Sequence, residues 1–143
     1  MNLVQFVKHY LDASFLRFIL VGIVNTLFGT TIMFVFYNVF HLGYWFSSIS
    51  NYVLASILSY FLNKYFTFRS KTSGWKSIMR FVVNISLCYL LAYGGAKPLT
   101  KWLLSNFSTH IQENVAMMVG MVLFVGLNYL GQRLFVFKKE SNE

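Results

Sequence analysis

The 143-residue chain is 57% hydrophobic, has a mean hydropathy of +0.57 and carries 11% charged residues. A soluble domain carries about 25% charge, so this composition excludes a chain surrounded by water. The net charge of +8 does not point to nucleic acid, because the basic residues cluster at the ends of long apolar runs.

Charged residues divide the chain into four such runs. The first is uncharged from Phe18 to Phe40, between Arg17 and His41, and the second, Leu42 to Asn63, ends at Lys64. The third, Phe81 to Ala96, has 16 residues between Arg80 and Lys97. Its Gly94-Gly95-Ala96-Lys97-Pro98 stretch predicts a kink, an early exit, or an extension past Pro98 toward Leu104. The fourth, Asn114 to Gln132, lies between Glu113 and Arg133. A spanning helix needs about 20 apolar residues. The expectation is an all-α integral membrane protein: a four-transmembrane-helix bundle in one membrane domain over residues 1–143, with spans near 16–40, 43–66, 79–104 and 113–136. No cleavable signal peptide is expected, since the first run is too long for an h-region. Cys88, the one cysteine, reads as a small buried hydrophobe.

Orientation follows the lysines and arginines. Lys8, Arg17, Lys64, Arg69, Lys71, Lys76, Arg80, Arg133, Lys138 and Lys139 fall on one side, and only Lys97 and Lys101 on the other. Both termini are therefore expected in the cytoplasm, with Tyr44, Trp45 and Trp102 in an outer aromatic belt and Tyr65 and Trp75 near the inner one. A tight turn around His41 to Tyr44 joins spans one and two, and a polar, basic connection at about residues 69–77 joins spans two and three.

The chain also repeats itself weakly. Aligning Ser59–Phe68 with Asn128–Phe137 gives identity at Tyr60/Tyr129, Phe66/Phe135 and Phe68/Phe137, with conservative matches at Asn63/Gln132 and Lys64/Arg133. Upstream, Met79-Arg80-Phe81 echoes Leu16-Arg17-Phe18. Each half opens on Arg-Phe, spans, turns, spans back and closes on an amide, a cation and aromatics. Equal orientation of the halves makes this a parallel two-unit repeat.

At helical spacing, Asn51, Ala55, Ser59 and Asn63 form one stripe and Gly120, Phe124, Asn128 and Gln132 another. Gly22, Asn25, Thr26, Gly29 and Thr30 group on span one, and Arg80, Asn84 and Cys88 on span three. Small and amide residues commonly pack helices in membranes, and packing is the favoured role for Asn25, Ser56 and Asn84. Arg17, Lys64, Arg80 and Arg133 stand one per span at similar depth. Their ordinary role there is to snorkel to lipid headgroups, but convergence at one bundle end beside Asn63, Asn128 and Gln132 would suit a phosphate. The acidic residues Asp12, Glu113, Glu140 and Glu143 lie outside the spans, and His9, His41 and His110 are scattered at the edges. No metal spacing, nucleotide loop or paired carboxylate set appears, so neither an enzyme nor a cofactor is expected. The absence of a membrane-embedded carboxylate, with the strong charge bias, also argues against a small four-span drug/proton antiporter.

These motifs carry a resemblance. Arg17-Phe18 with Val21-Gly22 and Thr26, Asn63-Lys64 with Thr67-Phe68, Arg80-Phe81, and Asn128-Tyr129 with Gln132-Arg133 and Val136-Phe137 resemble, in order and spacing over residues 15–138, the GtrA-like family. Its members are small four-span membrane proteins implicated in moving polyprenyl-phosphate-linked sugars across the membrane. One departure is Ser59, which stands where the pattern of Asn128 would place an asparagine. The resemblance implies a flippase, or an essential flippase component, for an undecaprenyl-phosphate-linked monosaccharide in the bacterial cytoplasmic membrane, serving glycosylation of an envelope polymer such as teichoic acid. Arg17, Lys64, Arg80 and Arg133 would hold the phosphate, and Asn25, Thr26, Asn51, Ser59, Asn63, Asn128 and Gln132 would line the sugar's path. Membrane lipids and membrane glycosyltransferases are the expected partners, and the small enclosed volume suggests homo-oligomers. The alternative is a scaffold that recruits or stabilises a glycosyltransferase and moves nothing.

Overall fold

Inside a bilayer every backbone amide needs a partner from the chain itself. The computed structural model meets this with helices throughout the residues it describes, 1–72 and 74–138. Lys139, Glu140 and Glu143 lie outside the described residues. The helices are α1 (Leu3–Tyr10), α2 (Ala13–Phe34), α3 (Tyr44–Leu62), α4 (Trp75–Leu103) and α5 (Thr109–Gly131). Three of them run on into a wider, five-residue π-turn: Val35–Val39 after α2, Asn63–Thr67 after α3 and Gln132–Val136 after α5.

Local chemistry sets the helix starts. Asp12 Oδ1 accepts from the Ser14 amide at 3.0 Å and caps α2, and Ser108 Oγ accepts from the Ile111 amide at 3.4 Å to cap α5. Gly43 (φ 81°) and Gly74 (φ 88°) precede α3 and α4 in backbone conformations that a side chain would strain.

Among the described residues, three helical stretches are long and apolar enough to cross a membrane: Ala13–Val39, Trp75–Leu103 and Thr109–Val136, of 27, 29 and 28 residues. The second expected span, α3 with its π-turn, is not among them. Its length is adequate, because 19 α-helical residues alone rise about 29 Å. Its composition is what separates it: Ser47, Ser48, Ser50, Asn51, Ser56 and Ser59 dilute the apolar residues. The glycine–proline stretch of the third span brings neither a break nor an early exit. α4 stays helical through Pro98 to Leu103, and the Thr100 hydroxyl donates to the carbonyls of Ala96 (2.8 Å) and Lys97 (3.1 Å).

The chain divides into two compact units, Met1–Lys71 and Thr72–Glu143. In the first, α2 packs on α3; in the second, α4 packs on α5. The division falls between the two copies of the repeat. Both interiors mix small and polar residues with a few aromatics, while large apolar side chains lie on the outside. Along α4 the buried residues are Ser77, Phe81, Asn84, Cys88, Ala92, Ala96 and Thr100, one stripe three or four residues apart. Leu90, Leu91, Met118 and Val122 are, by contrast, 65–73% exposed. Apolar exposure on this scale suits lipid as the surrounding solvent.

Candidate functional site

The repeat closes each hairpin with the same set of contacts. In the first unit, Phe18 at the start of α2 is buried against Phe68, ring centroids 6.4 Å apart and planes at 49°. In the second, Phe81 meets Phe137 at 6.5 Å and 47°. Each closing phenylalanine is held by a backbone bond spanning five residues back to the amide residue of the motif: Phe68 N–H to Asn63 O at 2.9 Å, and Phe137 N–H to Gln132 O at 2.8 Å. The π-turn thus begins at the amide, passes through the cation and ends at the clamp. Such widened turns often occur at functional sites.

The cations lie on tyrosine rings. Lys64 Nζ is 6.0 Å from the Tyr60 ring centre and 5.0 Å from that of Tyr65. Arg133 Cζ is 5.9 Å from the Tyr129 ring, and its Nη1 donates to the Tyr129 hydroxyl at 2.6 Å. Lys64 is only 7% exposed, and no carboxylate among the described residues partners it. A buried cation without an anion is costly, and tyrosine faces offset only part of that cost. The helix-opening arginines come to the same turns. Arg17 Nη1 reaches Thr67 O at 3.5 Å, and Arg80 Cζ lies 5.5 Å from the Phe135 ring. Arg17 and Lys64 are therefore placed around one π-turn, and Arg80 and Arg133 around the other.

The amides differ between the units. In the first, Asn63 Nδ2 donates to Ser59 Oγ (3.2 Å) and Asn63 Oδ1 accepts from the Thr67 hydroxyl (2.8 Å). In the second, Asn128 Oδ1 accepts from Gln132 Nε2 at 2.9 Å and from Asn84 Nδ2 at 3.0 Å, and Asn84 Oδ1 accepts from Cys88 Sγ at 3.6 Å. Ser59 and Asn128 play the same part, an acceptor four residues before the motif amide. Only the second unit adds a third amide, because Asn84 stands where the first unit has buried Val21. Gly131 makes the room: a Cβ there would collide with the Asn84 amide. The Oε1 atom of Gln132, a residue with no exposed surface, is left without a hydrogen-bond partner among the described residues.

The remaining path residues are placed less uniformly. Asn51 lies beside Gly29, whose missing side chain admits it. Asn25 Oδ1 is buried and lacks a partner among the described residues. Thr26 is exposed and its hydroxyl donates to Gly22 O in its own helix at 2.9 Å. Sequence reasoning gave Asn84 a packing role, and the structure ties it directly to Asn128. It assigned nothing to Tyr60, Tyr129 or Thr67 at the cations and amides, although the identity of Tyr60 and Tyr129 in the repeat was the signal for the first two.

Residues 17–137 match the family model for the GtrA/DPMS transmembrane domain, a match that begins at the α2 arginine and ends at the last clamp phenylalanine. The chain is also similar to the "Uncharacterized membrane protein YwcD" of Bacillus subtilis (strain 168), 21% identical over 126 residues, which cover 88% of this chain and 98% of that protein. No solved structure matches the chain.

Proposed function

The chain belongs to the GtrA/DPMS transmembrane-domain family, a membership that points to translocation or glycosylation involving lipid-linked sugars, and from that premise we propose that it is a flippase, or an essential flippase component, for an undecaprenyl-phosphate-linked monosaccharide. In this reading it works in the bacterial cytoplasmic membrane without catalysing a reaction. α3 completes four spans, its serines and Asn51 turned to use as part of a polar path, and both termini are cytoplasmic.

The observation that carries the reading is Lys64, a nearly buried cation set on two tyrosine faces with no carboxylate partner among the described residues. A lysine that merely snorkels keeps its ammonium in water. A lipid phosphate would supply the missing anion, with Arg17 beside it at the same turn. Arg80 and Arg133 offer a second pair. The amides and hydroxyls of Asn63, Ser59, Asn128 and Gln132 provide the neutral donors and acceptors that a sugar needs in crossing about 30 Å of hydrocarbon. A cytoplasmic glycosyltransferase would load the carrier and one on the other side would consume it, delivering the sugar to an envelope polymer such as teichoic acid.

The test is reconstitution into liposomes holding a polyprenyl-phosphate sugar in both leaflets, with an impermeant reagent that reports accessible lipid. A flippase exposes nearly all of it, and Lys64→Ala with Arg133→Ala returns accessibility to the outer-leaflet share. Outer-leaflet accessibility alone with the intact protein, across several sugars, would replace this reading with a non-transporting scaffold for a glycosyltransferase.

A further inference from the structure

α1 has no part in the site described above, and its sequence, Leu3-Val4-Gln5-Phe6-Val7-Lys8-His9-Tyr10, divides cleanly at 100° per residue. Leu3, Val4, Phe6, Val7 and Tyr10 fall on one side, and Gln5, Lys8 and His9 on the other. Yet α1 buries none of its residues: Leu3 is 79% exposed, Val4 64%, and Phe6 and Val7 40% each. Isolated helices shorter than about 12 residues are marginal in water. An eight-residue helix whose apolar Leu3 and Val4 stay this exposed calls for a surface outside it.

The connection to α2 says which surface. Only Leu11 and Asp12 separate α1 from Ala13, where a 27-residue stretch fit to cross a membrane begins. Two residues span at most about 7 Å, so α1 stays at the mouth of that stretch, at headgroup depth. Leu11, itself 54% exposed, continues the apolar side, and Asp12 turns the chain by capping α2.

We infer that α1 is an in-plane membrane helix, its apolar face seated at the boundary between headgroups and acyl chains and Lys8 directed to lipid phosphates. An amphipathic helix of this pattern binds the interface through buried apolar area plus attraction to anionic headgroups. This goes beyond the transport reading and stands whether or not the protein moves a lipid. Seated this way, α1 fixes the depth of Arg17, seven residues after its end.

The full chain carrying Cys88→Ser tests this with a single cysteine placed in turn at Val4, Gln5, Val7 or Lys8, all exposed sites, and coupled to an environment-sensitive fluorophore. The vesicles contain phosphatidylcholine and phosphatidylglycerol, with spin-labelled lipids quenching either near the headgroup or deep in the acyl region. The expected result is that shallow lipid quenches the Val4 and Val7 labels roughly twofold or more over the Gln5 and Lys8 labels. Deep lipid quenches all four weakly. A second variant, Val7→Asp in the Val4-labelled chain, should abolish the excess. Equal quenching at the four sites, stronger quenching from the deep lipid, or persistence of the excess with Val7→Asp would overturn the inference. Blue-shifted emission without lipid quenching would overturn it too, showing that a protein, either a partner or a second copy, covers the face.

Discussion

The two hairpins share a frame and differ in their filling. Phe18–Phe68 and Phe81–Phe137 agree within 0.1 Å in centroid separation and 2° in tilt, and both π-turns start at an amide followed by a cation. The interiors have diverged at three linked positions. Val21, Ser59 and Leu62 of the first unit become Asn84, Asn128 and Gly131 in the second. The changes are concerted: a third amide enters the second interior only because a glycine leaves space for it and an asparagine accepts from it. Geometry is therefore what the copies keep in common, and polarity is where they specialise.

The proposed phosphate contact gives the largest expected difference between the units. Lys64 is nearly buried, whereas Arg133 is half-buried and already bonded to the Tyr129 hydroxyl. Lys64→Ala should weaken binding of a polyprenyl-phosphate lipid by roughly 30-fold or more, the cost of removing one partner from a buried charge pair. Arg133→Ala should cost roughly tenfold, as for a more exposed charge-assisted contact. Titration of each purified variant with the lipid in detergent checks the order. Equal losses would make the two exits equivalent, and no loss at Lys64 would remove the phosphate from its proposed place.

The amides should separate the units next, in stability. Asn128→Ala deprives both Asn84 Nδ2 and Gln132 Nε2 of their acceptor, at about 1–3 kcal/mol. Ser59→Ala removes one 3.2 Å bond, worth about 0.6 kcal/mol in a membrane protein. Denaturant unfolding in mixed micelles reads both. Gly131→Leu, which gives the second unit the first unit's residue, should cost about as much as Asn128→Ala by displacing Asn84. If the double variant Gly131→Leu with Asn84→Val recovers most of that loss, the linked origin of the three positions holds.

How far these features could be read in advance depends on the scale of the signal. Runs of apolar residues bounded by charges point to long apolar helices, and among the described residues three are long and apolar enough to cross a membrane: Ala13–Val39, Trp75–Leu103 and Thr109–Val136. Hydropathy is summed over many residues, so it tolerates local detail. For the same reason the serines of α3 lower its sum without breaking its helix. The cations and amides of the site were legible as repeat matches, since identity across the repeat does not require knowing the backbone. The π-turns were not, because nothing in Asn-Lys-Tyr-Phe-Thr announces one extra residue per turn. Packing, the role the sequence favours for Asn84, fits its bond to Asn128 across α4 and α5, but its partner and its dependence on Gly131, 47 residues away, leave no mark in either helix alone. α1 drew no expectation, since eight residues form a weak pattern beside runs three times as long.

The smallest expected effect is also the strictest test of a shared frame. Phe18→Leu and Phe81→Leu each remove one ring from a clamp while keeping a buried apolar side chain, so each forfeits mainly the aromatic pair, about 0.5–1.5 kcal/mol. With near-identical pair geometry the two losses should agree within about 0.5 kcal/mol, the usual scatter between independent sites. A double variant that loses the sum of the two would show that the clamps act independently. A second-unit loss that is clearly larger would mean the amide cluster depends on the clamp beside it: Phe137 is held through its own amide to Gln132 O, and Gln132 donates to Asn128. Measuring Phe81→Leu again in an Asn128→Ala background resolves this. An additive result keeps frame and filling independent, whereas a sub-additive one makes the second hairpin a single cooperative unit from its aromatic clamp to Asn84.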